Sequence, residues 1–288
     1  MIAPPTNEAG VRPAPQPTSW VRALWGAIKY LIKWPFYFVY KRYLQAKVGT
    51  WRLPRHIGII MDGNRRFARR SGLGSASRGH ALGAEKLMDV LSWCYEMGIS
   101  VVTVWSFSLD NFNRDTSEVA ALLQLFEDKT RQMVNDSEVH DNEVRVRYIG
   151  ELEMLPEGLR KEIQAVEEAT ADYQRFQLNI AMAYGGREEI TEAFRAFLKD
   201  EASQGRDLEA VISGFKGSAI EPYLYTSGQP EPDLILRTSG EVRLSGFLLW
   251  QSAYSEYYFC DATWPAIRKI DFLRALRTYH DRQRRFGR

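Results

Sequence analysis

The strongest constraint on this chain is the alternation of short apolar runs with amphipathic stretches over residues 51–288. HIGIIM (56–61), VVTVWSF (101–107), VRVRYI (144–149), FQLNIAMAY (176–184) and DLILRT (233–238) read as buried strands. Helical patterns lie between them, near 80–97, 115–136, 156–171, 186–204 and 207–213, and a last one covers about 270–285. Strands separated by helices predict a single α/β domain, with a central, mostly parallel sheet flanked by helices. Such sheets keep their ligands outside the carboxyl ends of the strands, so the residues that follow each strand are the candidates for chemistry.

Three segments stand in that position. After the first strand comes Asp62-Gly63-Asn64-Arg65-Arg66, with Arg69 and Arg70 close behind. Glycine lets the backbone approach a ligand, arginines supply charge-assisted hydrogen bonds, and a helix start favours phosphate. A carboxylate repels a phosphate, and a Mg²⁺ bridging Asp62 to a diphosphate removes the conflict. A structural ion pair between Asp62 and an arginine would also account for the pattern. After the second strand, Ser106 to Asp115 includes Ser108, Asn111 and Arg114, a polar cluster that an ordinary capped turn would also explain. After the fifth, Arg237, Ser239, Gly240, Arg243 and Ser245 form a second anion pocket or a basic surface loop. Two diphosphate-sized pockets would mean a reaction between two phosphorylated molecules.

Several chemistries lose ground. His56, His80, His140 and His280 and the cysteines Cys94 and Cys260 show no metal-ligand spacing. No Walker lysine loop, dinucleotide glycine fingerprint or nucleophile elbow is present. Two cysteines cannot build a disulfide framework, which suits a reducing, cytoplasmic compartment.

The formal charge of +2 hides an uneven distribution. Residues 1–61 hold nine Lys/Arg and one acid, Glu8, whereas residues 62–288 hold 29 Lys/Arg against 35 Asp/Glu. Residues 1–19 read as a mobile tail. Residues 20–50 read as a basic, aromatic amphipathic helix that Pro35 is expected to kink or split. Lys29 and Lys33 rule out an ordinary spanning helix. Two readings stay open: an interfacial helix on an anionic membrane, or a helix packing its aromatics on the protein's own core or a partner. Nucleic acid is not expected, because a basic patch for it has no use for so dense an apolar face.

Five segments together resemble one family. HIGIIMDGNRRFA (56–68), VWSFSLDNFNR (104–114), LNIAMAYGGREEI (178–190), DLILRTSGEVRLSGFLLWQSAYSEYYF (233–259) and RQRRFGR (282–288) resemble, in order, the motifs of cis-prenyltransferases of the undecaprenyl/decaprenyl diphosphate synthase type, and actinobacterial members in particular. The resemblance covers the catalytic domain, 51–288. It implies a homodimer that condenses isopentenyl diphosphate onto an allylic diphosphate, such as geranyl or farnesyl diphosphate, each new double bond being cis. It also implies that the allylic diphosphate sits on Gly63, Asn64, Arg65, Arg66 and Arg70, with His80 and Arg114 nearby. Isopentenyl diphosphate would sit on Arg237, Arg243, Ser245, Arg285 and Gly287. Mg²⁺ would be held by Asp62 and Glu256, while Asp62, Asn64, Ser108 and Asn111 would take part in catalysis, and Glu118 would help order the substrates.

The chain departs from common bacterial members at Arg65, where many have glycine, at Ala76, where a phosphate-binding arginine is usual and Arg78 lies near, and at Val242. A hydrocarbon product needs an apolar tunnel, at about 0.8 kcal/mol for each buried CH₂. Ser106, Leu122, Phe126 and Phe176 are its expected lining, with Phe176 closing the far end. The small Ser106 favours a medium-to-long product, a lipid carrier for cell-wall or glycan assembly delivered at the cytoplasmic membrane. The likeness to actinobacterial short-chain enzymes favours (Z,E)-farnesyl diphosphate instead. A non-catalytic subunit of a heteromeric prenyltransferase is the further alternative, and the retained Asp62 argues against it.

Overall fold

The computed structural model describes residues 37–282. It divides into two units, one ending at Lys47 and the other beginning at Val48. In the first, residues 37–47 form a helix, α1. The expected tail and most of the expected basic helix lie outside the described residues.

The second unit is built on six parallel strands: β1 (His56–Ile60), β2 (Val101–Trp105), β3 (Val144–Ile149), β4 (Phe176–Ala181), β5 (Leu234–Arg237) and β6 (Glu256–Phe259). Their spatial order is β3-β4-β2-β1-β5-β6. The chain therefore winds from β1 toward β3 on one side and later returns to lay β5 against the other side of β1. That reversal opens a crevice beyond the carboxyl ends of β1 and β5, the place where open α/β sheets bind ligands.

The period of two along each strand sends alternate residues to two cores. Ile57, Ile59, Val102, Val104, Leu178, Ile180, Leu234 and Leu236 face a large core with α3 (Ala76–Glu96), α4 (Thr116–Met133) and α6 (Glu157–Ala169). Ile60, Ile149, Ala181 and Ile235 face a smaller one with Tyr184, Phe247 and Leu248. Helix α2 (Asn64–Arg70) follows β1, and the short α5 (Ser137–Asp141) follows α4. Helices α7 (Gly186–Ser203), α8 (Leu208–Gly214) and α9 (Lys269–Asp281) complete the order. Cys94 and Cys260 are buried and unpaired.

The five expected strands and the helices between them are all present. The edge strand β6 was not anticipated. Its four residues are all half-buried, so it shows neither a buried run nor a clean alternation.

On the face of the smaller core, two buried polar networks replace apolar packing. His56 Nδ1 meets the Pro230 carbonyl at 2.7 Å and its Nε2 meets Thr103 Oγ1 at 2.8 Å. Burial pushes this imidazole down to about 4, against the smaller upward pull of the Pro230 carbonyl and Asp233. Glu189 accepts from the Tyr225 N–H at 3.0 Å and from Gln251 at 2.7 Å, and Tyr184 donates to its other oxygen. Tyr184 in turn accepts from the Leu248 N–H. This network ties the start of α7 to the segment that carries Ser245.

Candidate active site

The first candidate segment begins where β1 ends. Gly63 has φ +105°, and a Cβ there would lie 2.9 Å from Thr263 and 3.0 Å from Ser239. Only glycine fits both that backbone and that space. The turn places Asp62 beside the last residue of β5. Arg237 Nη2 donates to Asp62 Oδ2 at 2.8 Å, and Arg66 Nη2 lies 3.4 Å from Asp62 Oδ1. Thr238 Oγ1 donates to the Asp62 carbonyl at 2.7 Å, which locks the two strand ends together. Burial raises the Asp62 carboxyl, but the Arg237 hydrogen bond and the charges of Arg237 and Arg66 overcome it and hold the group below its ordinary value. Asp62 is an anion at neutral pH.

Arg237 links the first segment to the third. It is nearly buried, and besides Asp62 it donates to Ser245 Oγ at 2.8 Å and to the Arg243 carbonyl. The two pockets read separately from the sequence are thus one continuous mouth. Arg66 donates to Ser239 Oγ at 2.7 Å and pairs with Glu241 at 3.1 Å, and Glu241 also pairs with Arg243.

The second segment closes the other side. Ser108 caps a single 3₁₀ turn (Leu109–Asn113), and its N–H donates to Asn111 Oδ1 at 3.2 Å, so the capped turn is real. Both residues also line the cavity below. Arg114 donates to Glu118 at 3.2 Å, with Arg65 3.7 Å from the same carboxylate. His80 lies 3.8 Å from Glu118, but burial and then the charge of Arg114 push its imidazole down to about 4. It is therefore neutral, and the contact is no ion pair.

A cavity of about 1440 Å³ opens at this mouth. Asp62, Gly63, Asn64, Arg65, Arg66, His80, Arg114, Arg237, Arg243 and Ser245 line the opening. Ser106, Leu122, Phe126, Ile180 and Met182 line the interior, which runs between the sheet and α4. Three buried polar atoms at the mouth have no hydrogen-bond partner: Asn64 Oδ1, His80 Nε2 and Arg237 Nε. Guanidiniums now matched to carboxylates, with the free Arg237 Nε donor beside them, suit an entering polyanion, whereas Asn64 Oδ1 can only accept.

Other expected residues fall elsewhere. Arg70 and Arg78 are not in the lining, and Arg78 donates to the Leu73 carbonyl instead of replacing an arginine at Ala76. Phe176 starts β4 at the amino end of the sheet and packs against Tyr95 in the core, away from the cavity wall. Glu256 starts β6 level with Leu234 and hence with Ile57, and it pairs with Arg282 at 2.8 Å. Five residues of strand rise put it roughly 16 Å below Asp62 along the sheet, so within one chain the two carboxylates do not share an ion. Arg285 and Gly287 lie outside the described residues.

Comparison with known proteins decides the family. The model described as "Putative undecaprenyl diphosphate synthase" matches residues 60–287. The chain belongs to the cis-prenyltransferase family. An isoprenyl transferase of Deinococcus radiodurans is 51% identical over 82% of this chain and 86% of its own. A (2Z,6E)-farnesyl diphosphate synthase of Thermobifida fusca is 47% identical over 89% of this chain and 99% of its own. Among solved structures, lavandulyl diphosphate synthase from Lavandula x intermedia, in complex with dimethylallyl diphosphate, superposes with a TM-score of 0.74 at 32% identity, covering 82% of this chain and 99% of that one.

For a cis-prenyltransferase the mouth contains more than motif reading supplied. Arg69 faces the opening where Arg70 was expected; the helical period of α2 puts residues 65, 66 and 69 on one side. Ser239 and Glu241 orient Arg66 and Arg243; both lie inside the third segment, where Ser239 reads as part of an anion pocket and Glu241 is not singled out.

Proposed function

We propose that this enzyme extends an allylic diphosphate primer, geranyl or farnesyl diphosphate, with isopentenyl diphosphate to a Z-polyprenyl diphosphate of medium-to-long chain. The observation that carries the reading is a single cavity whose mouth is arginine-lined around the Asp62–Arg237 pair and whose interior is apolar. One diphosphate is held by Arg65, Arg66 and Arg69 and the other by Arg237, Arg243 and Ser245, with the two hydrocarbon parts converging at the cavity entrance. Such positioning accounts for much of the rate when two bound reactants must meet. As the allylic carbon–oxygen bond ionises, negative charge grows on the departing diphosphate, and guanidiniums fixed before the reaction stabilise it. The alkene attacks without a strong nucleophile, and Ser108 and Asn111, which line the cavity, take up the proton released afterward. Apolar walls shield the cationic intermediate from water.

Among the described residues no three His, Cys, Asp or Glu side chains converge to hold a metal by themselves. A partly exposed, ionised Asp62 beside a diphosphate pocket nevertheless suits Mg²⁺, which is commonly bound by one or two carboxylates with substrate phosphates and water. When bound, Mg²⁺ would neutralise diphosphate oxygens.

Ser106, a small residue in the cavity lining, supports the longer product. The Thermobifida fusca relative's name supports the shorter, (Z,E)-farnesyl product. Incubation with Mg²⁺, labelled isopentenyl diphosphate and each primer, followed by chromatography, tests both. No incorporation with any primer sinks the reading.

We also propose a homodimer stationed at the cytoplasmic face of the membrane. No helix among the described residues is long and apolar enough to cross a bilayer. In α1, however, Phe38, Val39 and Tyr43 are exposed beside the exposed Lys41 and Arg42, the composition of an interfacial helix. Deleting residues 20–44 is expected to lower binding to anionic vesicles without loss of turnover. Equal binding by the truncated chain overturns the membrane assignment.

A further inference from the structure

The apolar wall of the cavity is crossed by a hydroxyl pair far from the charged mouth. Tyr148 projects from β3 and Thr130 from α4, both line the cavity, and Tyr148 Oη lies 2.6 Å from Thr130 Oγ1. Thr130 Oγ1 is also 2.8 Å from the Phe126 carbonyl, which can only accept. Thr130 therefore donates to Phe126, and Tyr148 donates to Thr130. The Tyr148 backbone N–H donates to Glu167 Oε1 at 2.6 Å, so the residue is pinned at its backbone as well as at its ring. Both side chains are almost fully buried.

Helix α4 serves as a ruler. Glu118, which pairs with Arg114 at the mouth, and Thr130 stand on the same helix, roughly 18 Å apart at 1.5 Å per residue. The lining continues beyond the pair to Met133 and Asp136. Tyr148, from the sheet, and Thr130, from the helix, thus bridge two walls of the cavity, and lining residues continue along the chain beyond Thr130.

We propose that Tyr148, held by Thr130, is the residue that sets product length in this enzyme. The proposal rests on the chain-elongating reading above. A growing hydrocarbon end that reaches the ring must displace it to go further. Displacing an apolar ring would require only a change of rotamer, whereas moving Tyr148 also leaves its hydroxyl without a partner among apolar neighbours, while Thr130 keeps its bond to the Phe126 carbonyl. A hydrocarbon cannot replace the lost bond. The hydrogen bond therefore makes the bar stiffer than its volume alone would.

The test is product chromatography of the full chain with labelled isopentenyl diphosphate and farnesyl diphosphate, alongside Tyr148→Ala, Tyr148→Phe, Thr130→Val and Met133→Trp. Tyr148→Ala is expected to move the main product longer by one isoprene unit or more, with total incorporation kept within a few-fold. Tyr148→Phe and Thr130→Val, which remove the bond and keep the volume, are expected to raise the share of products longer than the wild-type maximum. Met133→Trp, beyond the bar, is expected to leave the distribution unchanged. An unaltered distribution in Tyr148→Ala overturns the proposal, as does shortening by Met133→Trp. Should Tyr148→Ala fail to fold by circular dichroism, an unaltered distribution in both Tyr148→Phe and Thr130→Val overturns it. If the wild-type chain incorporates nothing, the elongation reading fails and not the bar alone.

Discussion

The two ends of the cavity are built by opposite means. At the mouth, Arg66, Arg114, Arg237 and Arg243 are each matched to a carboxylate before any ligand arrives. In the interior, side chains such as Leu122, Phe126, Ile180 and Met182 offer only volume, broken by the neutral Tyr148–Thr130 pair. Charge at the mouth can be exchanged for substrate charge at little net cost, because the guanidiniums pass from one anion to another. A hydroxyl bond in the interior has nothing in a hydrocarbon to exchange with. The mouth should therefore govern rate and the interior should govern length.

Variants can break that division. The largest effect is expected from Asp62→Ala, which removes the carboxylate that organises Arg66 and Arg237; turnover should fall by at least roughly 10²–10³-fold, while residual product keeps its wild-type length. Near-normal turnover would reject the role of Asp62, and a changed length would show that the ends are not independent. Arg237→Ala should also slow turnover. It leaves Asp62 half-buried without its closest partner, so urea unfolding should show a loss of about 1.5–3 kcal/mol, the range for a charge-assisted bond.

The pH dependence gives a smaller effect. His56 and His80 both sit near 4 in the folded chain, against an ordinary 6.5. The unfolded chain thus binds up to two more protons between those values. The resulting penalty is absent above about pH 6.5 and grows as pH falls toward 4, by at most ~1.4 kcal/mol per pH unit for each histidine. Urea unfolding at pH 7 and pH 5 should show the loss, and His80→Gln should remove part of it with product length unchanged. An equal pH slope in that variant would show that His80 is not held neutral by the fold.

Much of this was legible in local sequence. The strand runs, Gly63 at the turn and the arginines after β1 and β5 announced a sheet with an arginine-lined mouth at its carboxyl edge. What stayed hidden involves distance. Phe176 matches a tunnel-closing position, yet its place at the start of β4 puts it against Tyr95 in the core. Glu256 follows an expected motif, but parallel strands set its end of β6 opposite to Asp62. Arg70 yields to Arg69 in the lining because the helical period puts Arg69 between Arg65 and Arg66, and Arg70 beyond them.

By itself the sequence determined the α/β class, the family and the residue types at the mouth, because each is written in short runs whose period or chemistry is local. Only the tertiary structure joined Asp62 to Arg237 across 175 residues and brought the segments after β1 and β5 into one mouth. Only it brought Thr130 against Tyr148 across the cavity. Both contacts depend on which strands lie side by side and which helix covers them, and that is decided by packing the whole sheet, not by any segment alone.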